Sequence, residues 1–324
     1  MGKTIKKPTI RDVATKAAVS VATVSRILNR LPGYTEGTKQ RVLEVIRTLG
    51  YKPNALARGL VSKRTHVIGV LLPSVSSRLA TVLLSGIENV AHQKQFSVIV
   101  CNTDCDGKRT MEYLKVLAEK QVEGIIFASE WVKEEYGREF ESMGIPIVLV
   151  STYSPRFRLP YIKVDDRQAA YYATRYLIDR GHTRIGMISG THSDQIAGIP
   201  RVEGFRQALK DAELPAEDRQ ITYGDFAYRS GISCMQLLLE QVPDLSAVFA
   251  ASDEMALGAL SCLYRQGKRV PDDMSIIGYD DTQDAEMAIP PLTTVHQPIY
   301  EMGERAAEIL LSKEVHEESI VMPF

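Results

Sequence analysis

From His66 onward, short apolar runs alternate with amphipathic stretches, and this alternation limits the chain to one class of fold. Strands are predicted at His66–Leu72, Phe96–Cys101, Gly124–Ala128 and Ile145–Val150, separated by helices over Arg78–His92, Lys108–Lys120 and Lys133–Met143. A second series is predicted to begin with a short strand near Tyr161. It continues with helix Arg167–Arg180, strand Ile185–Ser189, helix Arg201–Ala212, strand Ile221–Tyr223 and helix Arg229–Gln241. Strand Ala247–Ala250, helix Glu254–Gln266 and strand Ser275–Tyr279 follow, with a last strand at Ser319–Met322. Continuous apolar strands alternating with helices pack as parallel sheets covered on both faces. Two series imply two doubly wound α/β subdomains facing each other across a cleft. The first is expected over about 66–161 and 293–324, the second over about 162–292.

The first 65 residues follow a different pattern. A helix is expected over Ile10–Ala18, with Thr9 as its cap and Asp12 three residues on in a capping-box position. After the turn Ala18-Val19-Ser20, Ser20 caps a second helix, Val21–Leu28. Its Val24, Ile27 and Leu28 face inward, while Val21, Ala22, Ser25 and Arg26 face outward. A third helix, Glu36–Leu49, is capped by Thr35 and carries an apolar stripe at Val42, Val45, Ile46 and Leu49. Small outward residues let a helix enter a major groove, and Arg26 has the reach for a guanine edge or a phosphate. Any small three-helix domain has a solvated face, but charge separates the two readings. Residues 1–65 hold 14 Lys or Arg and three acidic residues, a net +11, whereas the remainder carries a net −12. A polyanion partner for the first segment follows. Thr9, Ser20, Val21, Ala22, Thr23, Ser25, Arg26 and Asn29 are therefore the candidate DNA contacts of this unit, joined by Tyr51.

Beyond it, Gly50-Tyr-Lys-Pro-Asn-Ala-Leu-Ala-Arg-Gly-Leu60 completes an ordered set with Ile10-Arg-Asp-Val-Ala14 and Val19-Ser-Val-Ala-Thr-Val-Ser-Arg26. In order and spacing these resemble the signature of the LacI/GalR family of bacterial regulators. The resemblance implies a helix-turn-helix head (1–52), a hinge helix and linker (53–65) and a periplasmic-binding-protein-like body (66–324) that binds an effector and dimerises. It also implies minor-groove contacts by Asn54, Ala57, Arg58 and Leu60, with Leu60 as the wedge that kinks the duplex. Taken alone, Leu60 reads as a core residue before it reads as a wedge; a basic, glycine-containing segment between domains offers little core to join. The segments Ala251–Ala259, Gly278–Asp284 and Pro290–Gln297 extend the likeness through the body.

In open α/β sheets, ligands bind outside the carboxyl ends of the strands. Ser77 and Arg78 follow the first strand, Asn102 the second and Ser129-Glu130 the third. Asp165-Asp166, Gly190-Thr191, Phe226, Ser252-Asp253 and Asp280-Asp281 hold the matching places in the other series. Hydroxyls, carboxylates, an arginine and an aromatic ring suit a polyhydroxylated ligand. The resemblance assigns effector contacts to Asp166, Arg201, Phe226, Ser252 and Asp280. Asp253 and Asp165 each fit either a ligand contact or a helix cap, Phe226 either a stacking platform or core, and Asp281 and Asp284 surface turns. Many members of the family carry an aromatic pair after the first strand. Here the chain reads Ser76-Ser-Arg-Leu-Ala80, so Arg78 brings a charge instead. A sugar acid, a sugar phosphate or a disaccharide is expected before a plain hexose.

Enzymatic readings find little support. Gly2-Lys3-Thr4 lacks the strand and first glycine of a phosphate-binding loop, no GxGxxG follows the first strand, and GxSxG and HExxH do not occur. Neighbouring carboxylates at 165–166, 272–273 and 280–281 point apart. Cys101, Cys105, Cys234 and Cys262 lack CxxC spacing and read as reduced thiols. No catalytic residue, metal or cofactor is expected. An exported sugar-binding protein would explain the body, but it would leave the basic head unused and needs a signal peptide that the N-terminus does not resemble. The expected protein is a cytoplasmic, homodimeric repressor acting on a pseudo-palindromic operator in double-stranded DNA. Its controlling partner is a small effector (sugar, sugar phosphate or sugar acid) or, as in some relatives, a phosphoprotein, and no membrane partner is expected.

Overall fold

The computed structural model describes residues 8–28, 31–51, 64–312 and 319–324. Asn29, Asn54, Ala57, Arg58 and Leu60 lie outside the described residues. The chain divides into a head, residues 1–65, and a body, residues 66–324.

In the head, α1 (Ile10–Ala17) opens with the anticipated capping box. The Thr9 amide donates to Asp12 Oδ2 (2.7 Å) and the Asp12 amide to Thr9 Oγ1 (3.4 Å). The helix ends one residue earlier than predicted because Ala18 turns left-handed (φ 51°). Ser20 Oγ accepts from the Thr23 amide (3.0 Å) at the start of α2 (Val21–Leu28). Thr35 caps α3 (Glu36–Leu49), and Gly50 (φ 62°) closes it. Val13, Ala14, Ala17, Val24, Ile27 and Val42 form the core, and Arg41 Nε ties α3 to the Ala17 carbonyl (3.1 Å).

The body runs β1 (Val67–Leu72), α4 (Arg78–Gln93), β2 (Ser97–Asn102), α5 (Gly107–Glu119), β3 (Ile125–Ala128), α6 (Glu134–Met143), β4 (Ile147–Val150), β5 (Tyr161–Val164) and α7 (Asp166–Asp179). It continues through β6 (Ile185–Ser189), α8 (Gly198–Asp211), β7 (Ile221–Tyr223), α9 (Tyr228–Gln241), β8 (Ala247–Ala250), α10 (Asp253–Arg265) and β9 (Ser275–Asp280). Last come α11 (Gln283–Met287), β10 (Thr293–His296), α12 (Ile299–Leu310) and β11 (Ile320–Met322). The two sheets have orders β11-β5-β4-β3-β1-β2 and β10-β9-β8-β6-β7. Every ladder is parallel. The doubly wound fold read from the alternation is therefore present.

The structure corrects the sequence reading at three points. The strand expected to open the second series, β5, pairs with β4 and β11 in the first sheet, so the chain crosses between subdomains after Val164. The strand at Thr293–His296 pairs with β9 in the second sheet, so the return crossing follows His296 rather than Leu292. Helix α8 begins at Gly198, not Arg201, because Asp194 accepts from the amides of Ile196, Ala197 and Gly198 and so organises an earlier start. Two helices, α11 and α12, were not anticipated. In α12, Ile299, Met302, Gly303, Ala306, Ala307 and Leu310 are buried at helical spacing.

Close helix pairing fixes the layers. A Cβ on Gly86 of α4 would lie 2.2 Å from the Tyr300 carbonyl, and one on Gly303 of α12 2.3 Å from the Leu83 carbonyl. The α9/α10 pair repeats the device, with Gly258 facing the Tyr228 carbonyl at 2.2 Å. Alanine gains about 1 kcal/mol of helix propensity over glycine, but here backbone must move to admit it, and overpacking costs about 1–3 kcal/mol. Gly258→Ala should therefore lower the urea midpoint, and a midpoint at or above wild type would show that the pair relaxes freely.

Candidate functional site

The head presents α2 outward. Val21 is 41% exposed, Ala22 and Arg26 are exposed, and Thr23 and Ser25 are half-buried on the same helix. Thr9 and Ser20 use their hydroxyls as caps, Ser20 also meeting Thr23 Oγ1 at 2.9 Å. Arg26 runs beside the turn at Gly33 (φ +111°), where a Cβ would stand 3.5 Å from its Nη1. Tyr51 packs half-buried against the head core.

In the body, residues at the carboxyl ends of the two sheets come into contact. Part of this contact is a buried charged network. Arg201 Nε and Nη2 both donate to Asp166 Oδ1 (2.9 and 2.7 Å), and Nη1 donates to the Ala251 carbonyl (2.5 Å). Lys163 Nζ pairs with Asp166 Oδ2 (2.9 Å) and donates to the Ile196 carbonyl (3.3 Å), bridging the two subdomains. Tyr279 donates to Asp166 Oδ1 (3.2 Å), and its ring lies 3.6 Å beneath the Arg201 guanidinium. Burial pushes the Asp166 carboxyl up, but Arg201 and Lys163 outweigh it and hold the group below the usual range.

Asp280 ends β9 in a left-handed backbone (φ 123°) and accepts from Gln297 Nε2 (2.7 Å) on the return crossing. Burial raises it from 3.8 to about 7, against the pull of Arg201. Phe226, with φ 67°, is half-buried against Gly190, whose Cβ would fall 1.9 Å from the ring.

The remaining candidates take positioning roles. Ser77 caps α4, accepting from the Ala80 amide (3.2 Å). Asn102 holds the Val75 amide (2.9 Å) and Asp104 (2.6 Å). Ser252 caps α10 and donates to the Phe226 carbonyl (2.9 Å). Asp253 is fully buried. It accepts from the Thr282 amide and hydroxyl (2.7 and 2.9 Å) and from the Thr294 hydroxyl (2.5 Å), and burial raises its pKa. Asp165 caps α7.

Arg78 forms a bidentate pair with Asp284, Nε to Oδ2 at 2.8 Å and Nη2 to Oδ1 at 3.1 Å, spanning the cleft mouth. Sequence reasoning treated Asp284 as a surface turn. It missed Lys163, Tyr279 and Gln297 as well, and opposite charge alone could not have paired positions 206 residues apart. Glu130 was noted only as a strand-end residue. It is buried at the end of β3, where it accepts from Thr103, Thr110 and Tyr136.

This architecture, a helix-turn-helix head on a two-sheet ligand-binding body, has counterparts among known proteins. Residues 9–54 match the family of bacterial regulatory proteins of the lacI type, and residues 65–323 match the periplasmic binding proteins and sugar binding domain of the LacI family. The chain belongs to the LacI family of DNA-binding transcriptional regulators. It is 40% identical over 316 residues to catabolite control protein A of Priestia megaterium, covering 97% of this chain and 95% of that protein. The lac repressor dimer bound to operator and the anti-inducer ONPF superposes with a TM-score of 0.85 at 28% identity, covering 94% of this chain and 92% of that one. A transcriptional regulator CelR–cellobiose complex superposes with 0.74 at 31% identity, covering 97% of each chain. These relatives are transcription regulators, not enzymes.

The raised carboxyl of Asp280 makes stability depend on pH. Between 3.8 and about 7 the unfolded chain has released this proton while the folded chain retains it, so the contribution of Asp280 falls as pH rises through that window and levels off above it. Asp280→Asn should flatten this part of the stability profile in urea titrations from pH 4 to 8. An unchanged slope would place the titration elsewhere.

Proposed function

We propose that the protein is a cytoplasmic, homodimeric repressor whose operator affinity is set by a small polyhydroxylated effector held in the body cleft. The observation that carries this reading is the division of labour in the chain. A basic head exposes the small face of α2, and an acidic body brings two sets of strand ends together around Asp166, Arg201, Phe226 and Asp280. The solved CelR relative holds cellobiose, a ligand of this class.

An exposed apolar face supports the dimer. Tyr264, Met287 and Ile289 are 82, 69 and 92% exposed. A depression of about 380 Å³ next to Tyr264 and Ile289 is lined by apolar side chains such as Leu257, Leu260 and Val270, with Ser261, Lys268 and Arg269 also on its wall. Large apolar side chains exposed together in this way, with polar residues around them, ordinarily mark an interface. In the dimer two α2 helices enter successive major grooves. The segment 53–65 supplies minor-groove contacts through Asn54, Ala57, Arg58 and the Leu60 wedge. The effector acts through its different affinities for two arrangements of the subdomains. A metabolite is favoured over a phosphoprotein as the controlling partner because the strand ends of both sheets gather buried polar groups at one place.

Arg26→Ala should weaken specific operator binding by about 1–3 kcal/mol if Arg26 reads a base. In gel-shift titrations the loss should be larger for the specific site than for random DNA. An equal loss on both would reduce Arg26 to a phosphate contact. Leu60→Ala should remove most of the bend in operator DNA, measured by circular permutation, and a bend that persists would refute the wedge.

A further inference from the structure

Arg78 led the sequence reading toward an acidic or phosphorylated effector. The structure gives that cation, and the others at the cleft, a different electrostatic setting. Arg78 donates Nε and Nη2 to Asp284, so its charge is already paired. Arg201 and Lys163 share Asp166, and Arg109 pairs with Asp104. Lys133 lies over the Tyr136 ring at 5.4 Å, with Glu130 and Glu135 nearby.

The N-terminus of α8, just beyond β6, would ordinarily suit an anion. Asp194 already occupies it, accepting from the amides of Ile196 (2.9 Å), Ala197 (3.3 Å) and Gly198 (2.8 Å).

Against these answered cations stand surplus carboxylates. Glu254, at the mouth, is pushed up by burial and then by Asp284 and Asp225 beside it, while the Tyr228 amide and Arg78 pull it down. Asp225 takes a backbone hydrogen bond from Ala227 (3.0 Å). Asp280, on the floor, takes one from Gln297. An incoming phosphate or carboxylate at Arg78 meets a cation already paired with Asp284 and competes with that carboxylate, with Glu254 and Asp225 close by. A ligand hydroxyl meets the reverse situation: Asp284 and Asp225 can accept from it, and Asp280, whose carboxyl burial raises to about 7, accepts when ionised and donates when protonated. Ser189 Oγ, at the carboxyl end of β6, adds a buried hydroxyl with no partner among the described residues.

We propose that the cleft admits a polyhydroxylated effector free of phosphate and carboxylate groups and excludes anionic metabolites. This inference rests on the reading of the body as the effector-binding unit. It reverses the expectation drawn from Arg78 alone.

The single tryptophan, Trp131, follows Glu130 at the cleft end of β3 and packs edge-on against Tyr153 (5.6 Å), so its fluorescence reports on the cleft rather than on the basic head. The full-length protein is titrated with glucose 6-phosphate, glucuronate and inorganic phosphate at constant ionic strength. No saturable response is expected from wild type. Asp284→Asn, which leaves Arg78 without its carboxylate, should gain a saturable response to inorganic phosphate at least tenfold tighter than any in wild type. A saturable wild-type response to any of the three anions overturns the inference, as does failure of Asp284→Asn to gain one. Operator binding separates this rule from the broader reading. If sugar phosphates alone shift operator affinity, the charge rule is wrong and effector control stands. If neither neutral nor anionic sugars shift it, effector control fails and the charge rule fails with it.

Discussion

The body depends on one buried carboxylate. Asp166 stands where the chain leaves the first sheet and begins the first helix of the second subdomain, and it meets Lys163 from β5, Arg201 from α8 and Tyr279 from β9. Removing any of these charges from water is costly, and the pairing offsets that cost only when the geometry is complete. The arrangement is therefore demanding rather than simply stabilising: the crossing strand, α8 and the end of β9 must all be in place together. Arg201 also fills its remaining arm with the Ala251 carbonyl, which extends the constraint to the end of β8.

Around this joint the other contacts between subdomains make mechanical sense. Gln297, on the return crossing, holds Asp280, so a ligand that engages Asp280 acts on a strand linking the two halves. Arg78 and Asp284 close the mouth at some distance from the crossings. Both partners are partly exposed, so this pair is worth little in stability, on the order of 1 kcal/mol or less. A weak contact across a mouth and a strict one at the joint are what a two-position device requires.

Much of this was legible in the sequence because it is local. The caps at Thr9, Ser20 and Thr35, the buried strands and the outward face of α2 all follow from residues within a few positions of one another. The misplacements arose where partners are distant. Tyr161–Val164 lies next in sequence to the second series, but a short strand does not declare which sheet it joins. For Asp253, read as a cap or a ligand contact, the bonds from Thr282 and Thr294 were out of reach of the sequence because those residues lie 29 and 41 positions away. Arg78 was read as a strand-end cation, but its meaning depended on Asp284. The small residues of α12, Gly303, Ala306 and Ala307, weaken its apolar signal, although they are what allow its close approach to α4.

The central claim is that the arrangement of the two subdomains and operator affinity are one equilibrium. Linkage makes the test independent of effector identity, because operator DNA must then bias the body just as the body biases operator binding. The direct measurement is the distance distribution between labels on exposed positions of α6 and α9, such as Glu141 and Gln236, within one protomer. Adding operator DNA should shift or narrow that distribution, while random DNA should have a smaller effect. A distribution unchanged by saturating operator would contradict the account.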